Sequence, residues 1–198
     1  MQIFIVGSGT WGIAIGDLLA SNHHQIFVWQ RDKKQAEKLQ KSRVHPKLNS
    51  RPIHNKITAT NSFEHIRKSD LLIFAVPSDA VKFVCMSINK YLDEKILEKK
   101  ISVVSITKGI NPDSLQTVSQ LIKVNLNLKF ESFTCLSGPS HAEEVFKKLP
   151  TAVVAASENI VDARLIQKVF SNRFFRVYSS SDVIGVEIGG SAKNVLSI

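Results

Sequence analysis

Hydrophobic positions along this chain alternate between short continuous runs and helically spaced stretches. Residues 2–6 form the first run, Gln-Ile-Phe-Ile-Val, and residues 13–20 follow with apolar side chains at helical spacing. Continuous runs recur at 25–29, 71–76, 101–106 and 133–136, as expected of strands buried on both faces. Between them, residues 33–39, 61–68, 79–89 and 114–124 read as helices, with Asn61 or Ser62 capping the second. Residues 43–61 read as loop, because Pro46, Asn49, Pro52 and Asn55 break any period. Strands alternating with helices predict an α/β protein built on a doubly wound parallel sheet. Two further runs, 151–156 and 174–178, flank an amphipathic helix at 160–170 and are expected to extend that sheet. Residues 182–198 begin with Asp182 as an N-cap and read as a last helix. Gly185, Gly189 and Gly190 each cost that helix roughly 1 kcal/mol relative to alanine. A close approach of backbone or ligand is expected there.

The first strand runs directly into Gly7-Ser8-Gly9-Thr10-Trp11-Gly12, which opens the first helix, and the chain then returns to a second strand. In that context the G-x-G-x-x-G spacing marks a dinucleotide site. Gly7 permits the tight turn, Gly9 lets a pyrophosphate reach the backbone, and Gly12 brings the helix close to the sheet. The helix start offers unpaired N–H groups and the positive dipole end to the phosphates. Asp32 lies about twenty residues beyond Gly12, the spacing of a carboxylate that binds the adenosine ribose. Arg31 directly before it is suited to a 2′-phosphate. The pair points to NADP, or to either NAD or NADP. Polar turns recur at the strand ends, at Val76-Pro77-Ser78, Thr107-Lys108-Gly109 and Ser137-Gly138-Pro139. In a doubly wound sheet this is the ligand edge.

Composition narrows the reading further. At 198 residues the chain can bury one good core and the start of a second domain. No apolar stretch is long enough to cross a bilayer, and the first twenty residues contain Asp17 and lack a basic leader, which excludes a signal peptide. Cys85 and Cys135 sit in apolar settings without metal-ligand spacing and read as free buried thiols of a reducing cytoplasm. His23, His24, His45 and His54 fall in turns and read as solvated. The formal net charge is +9, yet the lysines are spread out and form no stripe interleaved with aromatics. Nucleic-acid binding is therefore not expected, whereas attraction for phosphorylated small molecules is.

Together with the glycine turn, a further set of segments carries a resemblance. They are Val76-Pro77-Ser78, Thr107-Lys108-Gly109, 137–145 (Ser-Gly-Pro-Ser-His-Ala-Glu-Glu-Val), Pro150-Thr151-Ala152, Phe175-Arg176-Val177-Tyr178 and 189–194 (Gly-Gly-Ser-Ala-Lys-Asn). In order and spacing they resemble the bacterial NAD(P)-dependent glycerol-3-phosphate dehydrogenases over essentially the whole chain. The resemblance implies interconversion of dihydroxyacetone phosphate and sn-glycerol 3-phosphate for phospholipid synthesis. It implies that Lys193 exchanges a proton with the substrate oxygen, and that Lys108, Gly138, Ser140 and Asn194 join it in holding the substrate. Gly7, Gly9, Thr10, Trp11, Gly12, Arg31, Pro77, Lys108 and Ala142 are the implied cofactor contacts. His141 and Glu143 depart from the family, which often has an aromatic and a basic residue there. The resemblance also implies a Rossmann domain over 1–180, the first helix of an all-helical substrate domain at 181–198, and a homodimer formed through that domain. The expectation is thus a piece of a longer dehydrogenase with little turnover of its own. Two other readings stay open: a related 3-hydroxyacid-type dehydrogenase, and a non-catalytic dinucleotide-binding fragment.

Overall fold

Strand β1 (Gln2–Val6) is central because its side chains are apolar on both faces, and Ile3, Phe4, Ile5 and Val6 are all fully buried. Side chains alternate across a strand, so Ile3 and Ile5 join one core and Phe4 and Val6 join another on the opposite face. The computed structural model describes residues 1–48, 51–93 and 100–196, with the side chains of 193–196 outside that description. Following β1 come α1 (Thr10–Ser21), β2 (Gln25–Trp29), α2 (Lys33–Ser42), β3 (Ile57–Thr60), β4 (Leu71–Phe74) and α3 (Val81–Asn89). The second half contains β5 (Ile101–Ser105), α4 (Val118–Asn125), β6 (Phe130–Ser137), α5 (Ala142–Phe146), β7 (Thr151–Ala156), α6 (Ile160–Phe170), β8 (Phe175–Ser180) and α7 (Val183–Leu196).

The strands form one eight-stranded sheet in the order β3-β2-β1-β4-β5-β6-β7-β8. All neighbours are parallel except β6 and β7. Helices cover both faces. Ile15 and Leu19 of α1, Phe146 of α5 and Phe170 of α6 pack on one side, and Val84 and Cys85 of α3 with Ile122 of α4 pack on the other. This is the expected doubly wound Rossmann-type α/β sheet. Its order reverses between β1 and β4, which places the ligand crevice of such a fold beyond the ends of those two strands.

Several local expectations are corrected. The segment read as loop contains β3, a four-residue edge strand in which Ile57 and Ala59 are buried and Thr58 and Thr60 are not; its polar half concealed it. Residues 64–68 form a 3₁₀ turn in place of a helix. The helix expected from 114 begins at Val118, because Leu115 adopts a left-handed φ of 55°. Of the four turn histidines, His24, His45 and His54 are half-buried, and burial lowers the pKa of each. Both cysteines are free and buried. Burial pushes the Cys85 thiol up to about 12 and raises Cys135 as well, with the nearby Glu187 carboxylate adding to the latter.

Two buried carboxylates tie the layers together. Asp17, in the middle of α1 and 2% exposed, accepts from Arg51 Nη1 at 3.0 Å and Nη2 at 2.5 Å and from the His54 amide at 2.8 Å. Arg51 in turn donates to the Phe146 carbonyl at 2.9 Å and lies 4.2 Å from the centre of the Phe146 ring. One ion pair thus joins α1, the segment before β3 and α5. Glu187 on α7 is 5% exposed and accepts from the Ser119 amide at 2.7 Å and the Ser119 hydroxyl at 2.6 Å. It sits at the positive end of α4, where a carboxylate is favoured.

Asp17→Ala is expected to lower stability to urea by about 2–3 kcal/mol, below the full cost of breaking a buried pair because Arg51 can turn toward water. An unchanged denaturation midpoint would mean that the pair does not hold the layers. Glu187→Ala strands the Ser119 amide and is expected to cost about 2 kcal/mol. Glu187→Gln should recover part of that in the same measurement.

Candidate functional site

The glycines of the first turn divide into two kinds. A Cβ at Gly7, whose φ is 115°, would stand 2.5 Å from the Ala75 carbonyl oxygen, and one at Gly12 would run into the Gly7 carbonyl. Protein contacts fix both. Gly9 is different: a Cβ there would meet nothing within 4 Å, and its φ of −65° and ψ of 175° suit any residue. The space over Gly9 is open.

Helix α1 starts at this open space without a cap. Gly9 is its N-cap, no side chain bonds the first turn, and the first turn carries no acidic residue. The amides of its first turn therefore have no intrahelical partner. Helices α2, α6 and α7 are closed by side chains, Asp32 accepting from the Gln35 amide at 3.0 Å, Asn159 from Val161 at 3.0 Å and Asp182 from Gly185 at 2.8 Å, whereas α3 and α5, like α1, have no side-chain cap. An uncapped helix start beside a bare backbone is a site for an anion, and a pyrophosphate fits it.

A crevice of ≈ 460 Å³ opens over this turn and reaches across the ends of β4 and β5. Its walls are cross-tied. Trp11 Nε1 donates to the Ile106 carbonyl at 3.1 Å, and the Thr107 hydroxyl donates to the Val76 carbonyl at 2.8 Å. Lys108 Nζ donates to the Gly138 carbonyl at 3.1 Å and to Ser140 Oγ at 3.4 Å, and lies 5.5 Å from the centre of the Trp11 ring. Strand β6 delivers Gly138 there because its neighbour leaves no room for a side chain: a Cβ would stand 2.9 Å from Val153 Cα. An ammonium is thus held at the crevice by carbonyls and faced by an indole ring.

The structure brings most of the sequence-derived residues together. Gly9, Thr10, Trp11, Pro77, Lys108, Ser140 and Ala142 line the crevice, while Gly7, Gly12 and Gly138 shape the backbone beneath it. Arg31 is exposed beyond the end of β2 and is not among the lining residues. Lys193 and Asn194 lie on α7, and their side chains fall outside the described residues. That helix approaches the end of β6 closely, since a Cβ at Gly190 would run into the Ser137 hydroxyl. The close approach expected of the α7 glycines is met there, whereas Gly189 has open space. Sequence reasoning placed Thr107 in a ligand-edge turn without its tie to Val76, and missed Ile106 as the anchor of Trp11. It also missed Glu187, the lone acidic residue within α7, flanked by Val186 and Ile188, whose isolation was the available signal.

Comparison with known proteins agrees with this geometry. Residues 2–163 match the family described as the NAD-dependent glycerol-3-phosphate dehydrogenase N-terminus. A glycerol-3-phosphate dehydrogenase [NAD(P)+] of Oceanobacillus iheyensis is 37% identical over 198 residues, covering 100% of this chain and 56% of the relative. One from Fusobacterium nucleatum is 40% identical, covering 100% of this chain and 58% of the relative. The chain thus spans just over half the length of the curated relatives it matches. A crystal structure of glycerol-3-phosphate dehydrogenase from Coxiella burnetii superposes with a TM-score of 0.87 at 28% identity, over 99% of this chain and 58% of that one. GDP-mannose dehydrogenase of Pseudomonas aeruginosa shares the fold alone, with a TM-score of 0.78 at 16% identity. On its own motifs, its crevice and these matches, the chain belongs to the NAD-dependent glycerol-3-phosphate dehydrogenase family and corresponds to the N-terminal part of its relatives.

Proposed function

We propose that this chain is the dinucleotide-binding part of a cytoplasmic NAD(P)-dependent glycerol-3-phosphate dehydrogenase, which interconverts dihydroxyacetone phosphate and sn-glycerol 3-phosphate. The observation that carries the reading is the uncapped start of α1 under the open space at Gly9, with the Lys108 ammonium across the same crevice. In this reading residues 1–180 bind the dinucleotide and 181–198 begin the helical substrate portion. Dimer formation rests on the family resemblance alone.

The residues divide the work by chemistry. A bound nicotinamide dinucleotide supplies or accepts the hydride. The first-turn amides of α1 hold the pyrophosphate, and Trp11, anchored to the Ile106 carbonyl, walls the crevice above it. Lys108 and Ser140 orient the substrate at the ends of β5 and β6. Reduction of a ketone builds negative charge on oxygen, which an ammonium stabilises and protonates. Lys193 takes that role and Asn194 orients it, as the resemblance implies. Such chemistry depends on holding the reacting atoms in place, and the relatives' additional length is the source of the remaining contacts.

Titration of the 198-residue chain with NADPH and NADH, followed by tryptophan fluorescence, is expected to show saturable binding. Gly9→Ala should weaken that binding about tenfold or more while leaving the thermal midpoint unchanged, because its new methyl meets only the ligand. Gly12→Ala should lose both binding and about 2 kcal/mol of stability, because its methyl displaces α1. Equal effects of the two variants on stability would contradict the assignment of the space over Gly9 to a ligand.

Reduction of dihydroxyacetone phosphate by the 198-residue chain is expected to be slow or absent. In a complete protein, Lys193→Ala should cut kcat at least about a hundredfold, the usual scale of a lost proton-transfer group. Brisk turnover by the 198 residues would show that no further scaffold is needed.

A further inference from the structure

The glycine turn separates the crevice above from a second one of ≈ 310 Å³ on its β2 side. It is lined by Ser8 and Gln30 at the ends of β1 and β2, by Lys38 and Leu39 of α2, and by Val44 and His45 of the loop that follows. No aspartate or glutamate lines it among the described residues. The residue placed to contribute a carboxylate, Asp32, is not among the lining residues, and one of its oxygens caps α2 by accepting from the Gln35 amide at 3.0 Å. The turn carrying Asp32 is fixed as well. Asn61 Nδ2 donates to the Gln30 carbonyl at 3.0 Å and the Arg31 carbonyl at 2.6 Å, and Gln30 Nε2 donates to Gln35 Oε1 at 3.2 Å.

Two other groups could supply positive charge beside this crevice, and neither does so from its wall. The His45 ring accepts from the Lys47 amide at 3.2 Å, and burial lowers its pKa and so favours its neutral form. Arg31 is not among the lining residues. Lys38 is therefore the cation of the wall, on a helix that carries Lys33, Lys34, Lys38 and Lys41 against the single acidic Glu37. In a doubly wound sheet the adenosine half of a dinucleotide lies on this side of the turn. A wall with a lysine and no carboxylate among its lining residues favours a ribose that bears a phosphate over one that bears a hydroxyl.

We infer that Lys38 is a specificity-determining residue that binds the 2′-phosphate of an adenosine ribose seated in this crevice, so that the chain holds NADPH more tightly than NADH. The inference rests on the dinucleotide reading above and goes beyond it by assigning the selection to α2 in place of Arg31.

Calorimetric titration of the chain with NADPH, NADH and adenosine 2′,5′-bisphosphate tests it, using Lys38→Gln and Arg31→Gln. The unsubstituted chain is expected to bind NADPH about tenfold more tightly than NADH, the scale of one charge-assisted contact. Lys38→Gln should abolish the difference by weakening NADPH and the bisphosphate while leaving NADH unchanged. Its thermal midpoint should stay the same, because Lys38 is exposed and glutamine is a good helix former. Equal affinities in the unsubstituted chain would overturn the inference. So would a preference that survives Lys38→Gln, and its loss in Arg31→Gln would then assign the selection to Arg31. Failure of both dinucleotides to bind would instead overturn the reading on which it rests.

Discussion

The carbonyl of Gly7 occupies the place where a side chain at residue 12 would stand, and that contact sets how near α1 comes to the sheet. The same closeness puts Gly16 in ordinary van der Waals contact distance of Ile5, Ile26 and Val28, at 3.4–3.5 Å from where its Cβ would lie. The helix is thereby pressed onto β1 and β2 with its uncapped end over the point where the strand order reverses. Everything proposed for the site follows from this placement. Were α1 a few ångströms farther out, its amides would no longer converge with the ends of β4 and β5.

The opposite wall is set by different means. Thr107 ties the end of β5 to that of β4, and Lys108 is then caught by carbonyl and hydroxyl groups at the end of β6. Helix α7 is held from behind by the Glu187 carboxylate on Ser119 and comes close to the Ser137 hydroxyl. That hydroxyl is buried with no hydrogen-bond partner among the described residues. Helix α4, which receives Glu187, begins where the loop after Lys108 ends. The helix bearing Lys193 is thus tied by one carboxylate to the helix that follows the Lys108 loop.

Much of this was legible in the sequence because the signals were local. Runs such as 2–6 and 71–74 have no polar face to misread, and the first turn announces itself by glycine spacing. Asp182 capped the last helix as its position suggested. Elements whose identity depends on distant partners were harder to read. Strand β3 exists because β2 offers it an edge, and the start of α4 is set by Thr117 and Gln120, whose side chain accepts from the Thr117 amide at 3.0 Å. Asp32 shows what spacing leaves out: one of its carboxylate oxygens also caps α2. Pairing of Asp17 with Arg51, 34 residues apart, has no signature in either segment.

Amide hydrogen exchange, measured with and without saturating NADPH, tests the central claim most directly. The account predicts slowed exchange at residues 8–12, with a second protected patch at 76–78 and 106–108, and little change along β3. Protection confined to other surfaces while the dinucleotide is bound, with residues 8–12 exchanging as before, would contradict it.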